Sequence, residues 1–159
     1  MPRRIYVASS WRNAQQPAIV AALREMGHEV YDFRNPAPGN DGFRWSEVDP
    51  GWLGWAPETY AHLIRTSMVA RAGFNLDKAA LDWCDTCVLV LPCGRSAHLE
   101  AGYACGQGKR VIFFLSPDKF EPELMYLLGN GFVLNVEGLR NALLAPDPDF
   151  TSLPPEVRS

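Results

Sequence analysis

Along this chain, short unbroken apolar runs alternate with longer stretches whose apolar residues recur at helical spacing. Ile5-Tyr6-Val7-Ala8 predicts a buried first strand that opens into Ser9-Ser10-Trp11-Arg12-Asn13. A helix follows, with Pro17 in its first turn, a stripe of Ile19, Val20, Leu23 and Met26, and Gly27 as its stop. His28 to Phe33 predicts strand two, Cys87 to Leu91 strand three, Arg110 to Leu115 strand four and Phe132 to Val136 strand five. Between them the spacing predicts helices over Tyr60 to Arg71 and Phe74 to Trp83, the latter with Leu76, Ala79, Ala80 and Trp83 inward. Further helices are predicted over Ala97 to Gln107, Pro122 to Leu128 and Gly138 to Leu144.

Strands that alternate with helices predict an α/β protein: a flavodoxin-like, doubly wound, five-stranded parallel sheet of order 2-1-3-4-5 with right-handed crossovers. In that order the switch point lies between strands one and three. The loops after Ala8 and Pro92 then face one crevice, which gathers Ser10, Arg12, Arg95, Ser96 and Glu100. One segment interrupts the alternation. From Asn35 to Pro57 prolines and glycines are dense, yet Phe43, Trp45, Trp52 and Trp55 are too aromatic for a disordered stretch.

Composition narrows the classes. With 159 residues, 47% of them apolar, the expectation is one domain over residues 1–145 and a proline-rich tail over 146–159. A net charge of -3 offers no basic field for a nucleic acid polymer, so small substrates are the expected partners. No apolar run has the length to span a bilayer, and Met1-Pro2-Arg3-Arg4 leads into a strand instead of a signal-peptide core, so a cytoplasmic protein is expected. Cys84-Asp85-Thr86-Cys87 has the spacing of a redox pair or half a zinc site. No second pair follows, and buried reduced thiols are the simpler reading, with no metal site.

The chemistry concentrates after strand three, in Gly94-Arg95-Ser96-Ala97-His98-Leu99-Glu100-Ala101-Gly102-Tyr103. Strand, Gly/Ser turn and helix put the Glu100 carboxylate in the first turns of a helix. There it either offsets the helix dipole or, partly desolvated among Ala97, Ala101, Gly102 and Ala104, attacks an electrophilic carbon. Asp77, on the helix feeding strand three, is either a second helix acid or the partner that handles a leaving group's proton, since glycosyl transfer uses two carboxyl groups. Ser9, Ser10 and Arg12, with Gly94, Arg95 and Ser96, supply hydroxyl, guanidinium and bare backbone groups suited to a phosphate, although no P-loop spacing is present. Phe43 and Trp45 belong either to a satellite core beneath the loop or to a stacking wall for a flat ring.

These residues resemble the nucleoside 2-deoxyribosyltransferase superfamily, which includes the 2'-deoxynucleoside 5'-phosphate N-hydrolases. The matching parts are Ile5 to Ser10, Asp77 with Leu81 and Asp85, and Leu99-Glu100-Ala101-Gly102-Tyr103-Ala104 before Gly108-Lys109-Arg110-Val111. The resemblance implies Glu100 as a nucleophile forming a covalent glycosyl-enzyme, Asp77 as the acid that protonates the departing base, and Tyr6 as the group orienting the nucleophile. Ser10-Trp11-Arg12 matches the phosphate-binding Ser-x-Arg of the hydrolase branch, joined by Ser96 or the Gly94 backbone. The transferases carry an acidic residue in the turn before the nucleophile. Here Cys93, Gly94, Arg95 and Ser96 stand there, a departure that favours a charged substrate. The resemblance also implies a homo-oligomer of dimeric or higher order, and it calls for no cofactor.

The expectation is therefore cleavage of the N-glycosidic bond of a (deoxy)nucleoside or its 5'-monophosphate, resolved by water or a second nucleobase. The alternatives from the same residues are a non-catalytic nucleotide sensor and an NAD-cleaving glycohydrolase.

Overall fold

A computed structural model describes residues 1–117 and 119–146. Its five strands are β1 (Arg4–Ala8), β2 (Glu29–Asp32), β3 (Thr86–Val90), β4 (Arg110–Phe114) and β5 (Gly131–Val133), paired in parallel in the order β2-β1-β3-β4-β5. This is the predicted flavodoxin-like arrangement. The helices are α1 (Gln16–Glu25), α2 (Trp45–Val48), α3 (Pro57–Thr66), α4 (Met68–Trp83), α5 (Arg95–Gly106) and α6 (Val136–Leu144), with 3-10 turns at Trp52–Gly54 and Leu124–Leu128. No helix among the described residues is long and apolar enough to cross a membrane.

The pleat of β1 divides the interior into two layers. Ile5 and Val7 pack with Ile19, Val20 and Leu23 of α1 and with Leu139 and Leu143 of α6. Tyr6 and Ala8 point the other way, toward Ala80 and Leu81 of α4 and Ala97, Ala101 and Ala104 of α5. The second layer is lined by alanines where the first is lined by branched aliphatics. Small side chains let α4 and α5 lie close over the sheet.

Several element ends differ from the sequence expectation. The helix break expected at residues 72–73 falls instead at Ser67, whose hydroxyl caps α4 by accepting the Ala70 N–H at 3.2 Å. Gly73 is helical because it serves packing: a Cβ there would lie 3.0 Å from the Phe43 ring. Ala79, expected inward, is exposed, and Ala80 and Leu81 form the buried turn of α4. The expected helix over 122–128 is only the 3-10 turn, strand five closes at Val133, and α6 starts early because the Asn135 side chain accepts the Gly138 N–H at 2.8 Å. The proline-rich tail lies, from residue 147 on, outside the described residues. All four cysteines are free, Cys84 and Cys87 being buried, and no cluster of three potential metal ligands occurs among the described residues.

Candidate active site

The carboxyl edge of β1 and β3 is stitched together by the loops that leave it. The Ser9 hydroxyl donates to the Val90 carbonyl at 2.8 Å, and the Asn13 amide donates to the carbonyls of Val90 and Pro92, each at 3.3 Å. Ser10 accepts the Arg12 N–H at 3.1 Å. Arg34, just past β2, donates from Nη2 to the carbonyls of Ser10, Trp11 and Asn13 at 3.1, 3.0 and 2.9 Å. Its guanidinium and that of Arg44 both lie against the Trp11 ring, 5.4 Å from its centroid. The loop after β1 is thus held in shape by a side chain that sequence reasoning passed over. Its only signal was an arginine at the end of strand two, on the same edge.

Across from this loop, α5 begins at Gly94, which provides no side-chain cap. The first N–H groups of a helix have no intrahelical partner, and here they open toward the edge. Arg95 and Ser96 are exposed in that first turn, and Arg12 is exposed on the facing loop. Neither arginine's guanidinium has a partner among the described residues. The structure therefore brings Ser10, Arg12, Gly94, Arg95 and Ser96 to one edge, as the strand order required.

The carboxyls sit one layer down, over Tyr6. Glu100 is half-buried on α5, and its pKa is pushed up to about 8, first by burial and then by the charge of Asp77, against a smaller downward pull from Tyr6. Asp77, half-buried on α4, is likewise raised by burial and drawn back by a hydrogen bond from Tyr31. Each carboxyl is thus placed where its neighbours matter to its proton. Tyr6 is fully buried, and burial together with the charge of Glu100 keeps its phenol protonated. The Tyr6 hydroxyl lies near enough to Glu100 to lower its pKa, yet it meets no acceptor at ordinary hydrogen-bond geometry among the described residues. Tyr31 was not singled out in the sequence. It lies opposite Tyr6 in the parallel register and donates its hydroxyl to Asp77 Oδ1 at 2.8 Å.

Beyond the turn, His98 fastens the start of α5. Its Nδ1 lies 2.8 Å from the Gly94 carbonyl, which can only accept, so Nδ1 carries a proton. In the neutral ring Nε2 then accepts from the Tyr126 hydroxyl, also at 2.8 Å. A cavity of about 160 Å³ opens beside this pair, lined in part by Cys93, His98, Ser116, Phe120 and Tyr126. Neither carboxyl lines it. Burial and the charge of Glu100 push the Cys93 thiol up to about 12, which leaves it an unreactive neutral group.

Phe43 and Trp45 form an edge-to-face cluster with Trp55 and Tyr60. Phe43 packs over Gly73, one helical turn from Asp77 on α4, so the cluster flanks the carboxyl edge instead of standing apart from it. The matching Gly108-Lys109 falls at the opposite edge of the sheet. There the Lys109 ammonium donates to the carbonyls of Leu81 and Asp82 at the C-terminus of α4, a structural cap and not part of the site.

Fold and edge together define a flavodoxin-like α/β protein with a carboxyl pair at its topological switch point. Among solved structures the chain is similar to a 2-deoxyribosyltransferase from Bacillus psychrosaccharolyticus, at a TM-score of 0.54 and 22% identity, covering 94% of this chain and 95% of that one. It is also similar to a conserved protein from Enterococcus faecalis, with a TM-score of 0.50, 15% identity and coverage of 90% and 98%. A CMP N-glycosidase from Clostridium botulinum matches at a TM-score of 0.47 and 17% identity, over 89% and 97%. No family model matches the sequence, and no curated protein matches it. The chain has the fold of the Bacillus enzyme.

Proposed function

We propose that this protein belongs with the nucleoside 2-deoxyribosyltransferases and N-hydrolases and breaks the N-glycosidic bond of a (deoxy)nucleoside 5'-monophosphate. The observation that carries this reading is the carboxyl pair: Glu100 and Asp77, from two helices, both act on the buried Tyr6, and the Asp77 charge helps to raise the pKa of Glu100. The pair shares one proton, and with that proton on Asp77 the Glu100 carboxylate attacks the anomeric carbon. The bond to the base breaks, its electron pair goes to the base nitrogen, and Asp77 supplies the proton. Asp77 then takes a proton from water as that water attacks the same carbon and frees Glu100. A second base in place of water makes the reaction a transfer.

Tyr6 orients and partly shields the nucleophile. Ser10 and Arg12 on one loop, with Gly94, Arg95 and Ser96 on the other, receive the 5'-phosphate through hydroxyl, guanidinium and helix N-terminal N–H groups, while Ser9, expected among them, spends its hydroxyl proton on the Val90 carbonyl and holds the loop to β3. Phe43 and Trp45 flank the base. Two free guanidinium groups at that edge, and no carboxylate in the turn, favour the monophosphate over the free nucleoside.

The test is release of free base from a panel of nucleosides and 5'-monophosphates, followed by chromatography. Release is expected from monophosphates and is expected to vanish in Glu100→Gln. Base release that persists in Glu100→Ala removes the nucleophile from the scheme. Stabilisation by a monophosphate with no base released over long incubation selects a binding protein instead.

A further inference from the structure

The acid of this site is held by a residue on a third element. β2 runs parallel to β1 with Tyr31 opposite Tyr6, so the two rings project from the same side of the sheet. They stack at a centroid distance of 5.2 Å and an interplanar angle of 21°. That stack aims the Tyr31 hydroxyl at α4, where it donates to Asp77 Oδ1 at 2.8 Å. This is the only side-chain hydrogen bond made by Asp77 among the described residues. An oxygen that accepts from a phenol is poorly placed to carry the carboxyl's own proton, so Oδ2 is the oxygen left to hold and deliver it.

We propose that Tyr31 is a positioning residue for the leaving-group acid: it fixes the Asp77 carboxyl so that Oδ2, bearing the proton, faces the departing base. This assignment rests on the glycosidic reading above. It adds a residue that touches neither sugar nor base and acts through Asp77. The same contact favours the Asp77 anion once the proton has gone, which helps release it to the base.

Tyr31→Phe keeps the ring and its stack on Tyr6 and deletes one oxygen. The probes are the 5'-monophosphates of deoxyadenosine, deoxyguanosine and 7-methyldeoxyguanosine. The first two bases need a proton to leave. The third carries a positive charge and departs neutral when the glycosidic electron pair moves to its ring, with no proton required.

The expected result is a kcat lower by roughly ten- to hundredfold for the first two, a fraction of what general acid catalysis supplies. The expected change is less than about threefold for the methylated nucleotide, with KM and melting temperature close to wild type for all three. Equal loss across the three overturns the assignment, because Tyr31 would then serve packing alone. So does no loss at all. A wild type that releases no base from these three or from the wider panel of nucleosides and 5'-monophosphates overturns the glycosidic reading and this assignment with it. An active wild type with an unimpaired Tyr31→Phe overturns the assignment only.

Discussion

The two edges of the sheet carry similar charged residues and use them in opposite ways. At the amino edge every cation described has a structural partner: Arg3 donates to the Leu143 carbonyl at 3.1 Å, Arg4 pairs with Asp85 at 3.5 Å, and Arg110 reaches the carbonyls of Ala142 and Pro146. Lys109 caps α4 beside them. At the carboxyl edge Arg12 and Arg95 have no such partner among the described residues, and one layer below it Tyr6 buries an unmatched hydroxyl while the Asp77 charge raises the pKa of Glu100. Charges that are neutralised by their own fold hold the fold together. Groups kept unsatisfied at a switch point are available to a ligand, at some cost in stability. The contrast separates function from scaffold more sharply than residue type does, since both edges are rich in arginine.

The largest effect expected is at Glu100. Glu100→Gln should lower base release by at least about a thousandfold while raising stability at alkaline pH. The sign follows from linkage. The folded Glu100 holds its proton up to about pH 8, well above the ordinary carboxyl value of 4.5, so the native state binds more protons than the unfolded one between those values. Stability therefore falls as pH rises from about 4.5 through about 8, and urea denaturation across that range should show the decline in wild type and a flatter curve in Glu100→Gln. Because the working form is the pair holding one proton, the rate should also fall as pH rises through about 8. Asp77→Asn comes next. A loss of roughly a hundredfold or more is expected for bases that need a proton, with KM little changed. A uniform loss for every leaving group would place Asp77 among the structural acids, like Asp85.

The carboxyl edge was legible in the sequence because its elements are carried by local signals. The apolar run ending at Ala8 leads into Ser9, Ser10 and Arg12, the run ending at Leu91 leads through Pro92 and Cys93 into Gly94, Arg95 and Ser96, and strand order alone brings these two strand ends together. Tyr31 and Arg34 were not legible. Their roles depend on the register of β2 against β1 and on which side chain crosses to which loop, and neither leaves a spacing in the chain. Lys109 shows the converse. It belongs to the run that carries the resemblance, yet it lies at the amino edge, where it serves to end a helix. The helix break expected between Arg71 and Phe74 was likewise misplaced: Gly73 lies inside α4, under the Phe43 ring.

Smaller effects test the two edges against each other. Arg12→Ala should raise KM for a 5'-monophosphate by about ten- to hundredfold, the worth of one or two charge-assisted hydrogen bonds, and leave a free nucleoside unaffected. An equal change for both substrates would mean that Arg12 shapes the loop as Arg34 does, without meeting phosphate. Lys109→Met is its counterpart. The substitution keeps the stem and removes the ammonium from the Leu81 and Asp82 carbonyls, so unfolding in urea should be easier by about 1–2 kcal/mol. Its kcat/KM should stay within about twofold of wild type, because Asp77 stands more than one helical turn before the capped end of α4. If activity falls while stability holds, the division between the edges fails at this point. The end of α4 would then have to be counted part of the machinery that aims Asp77.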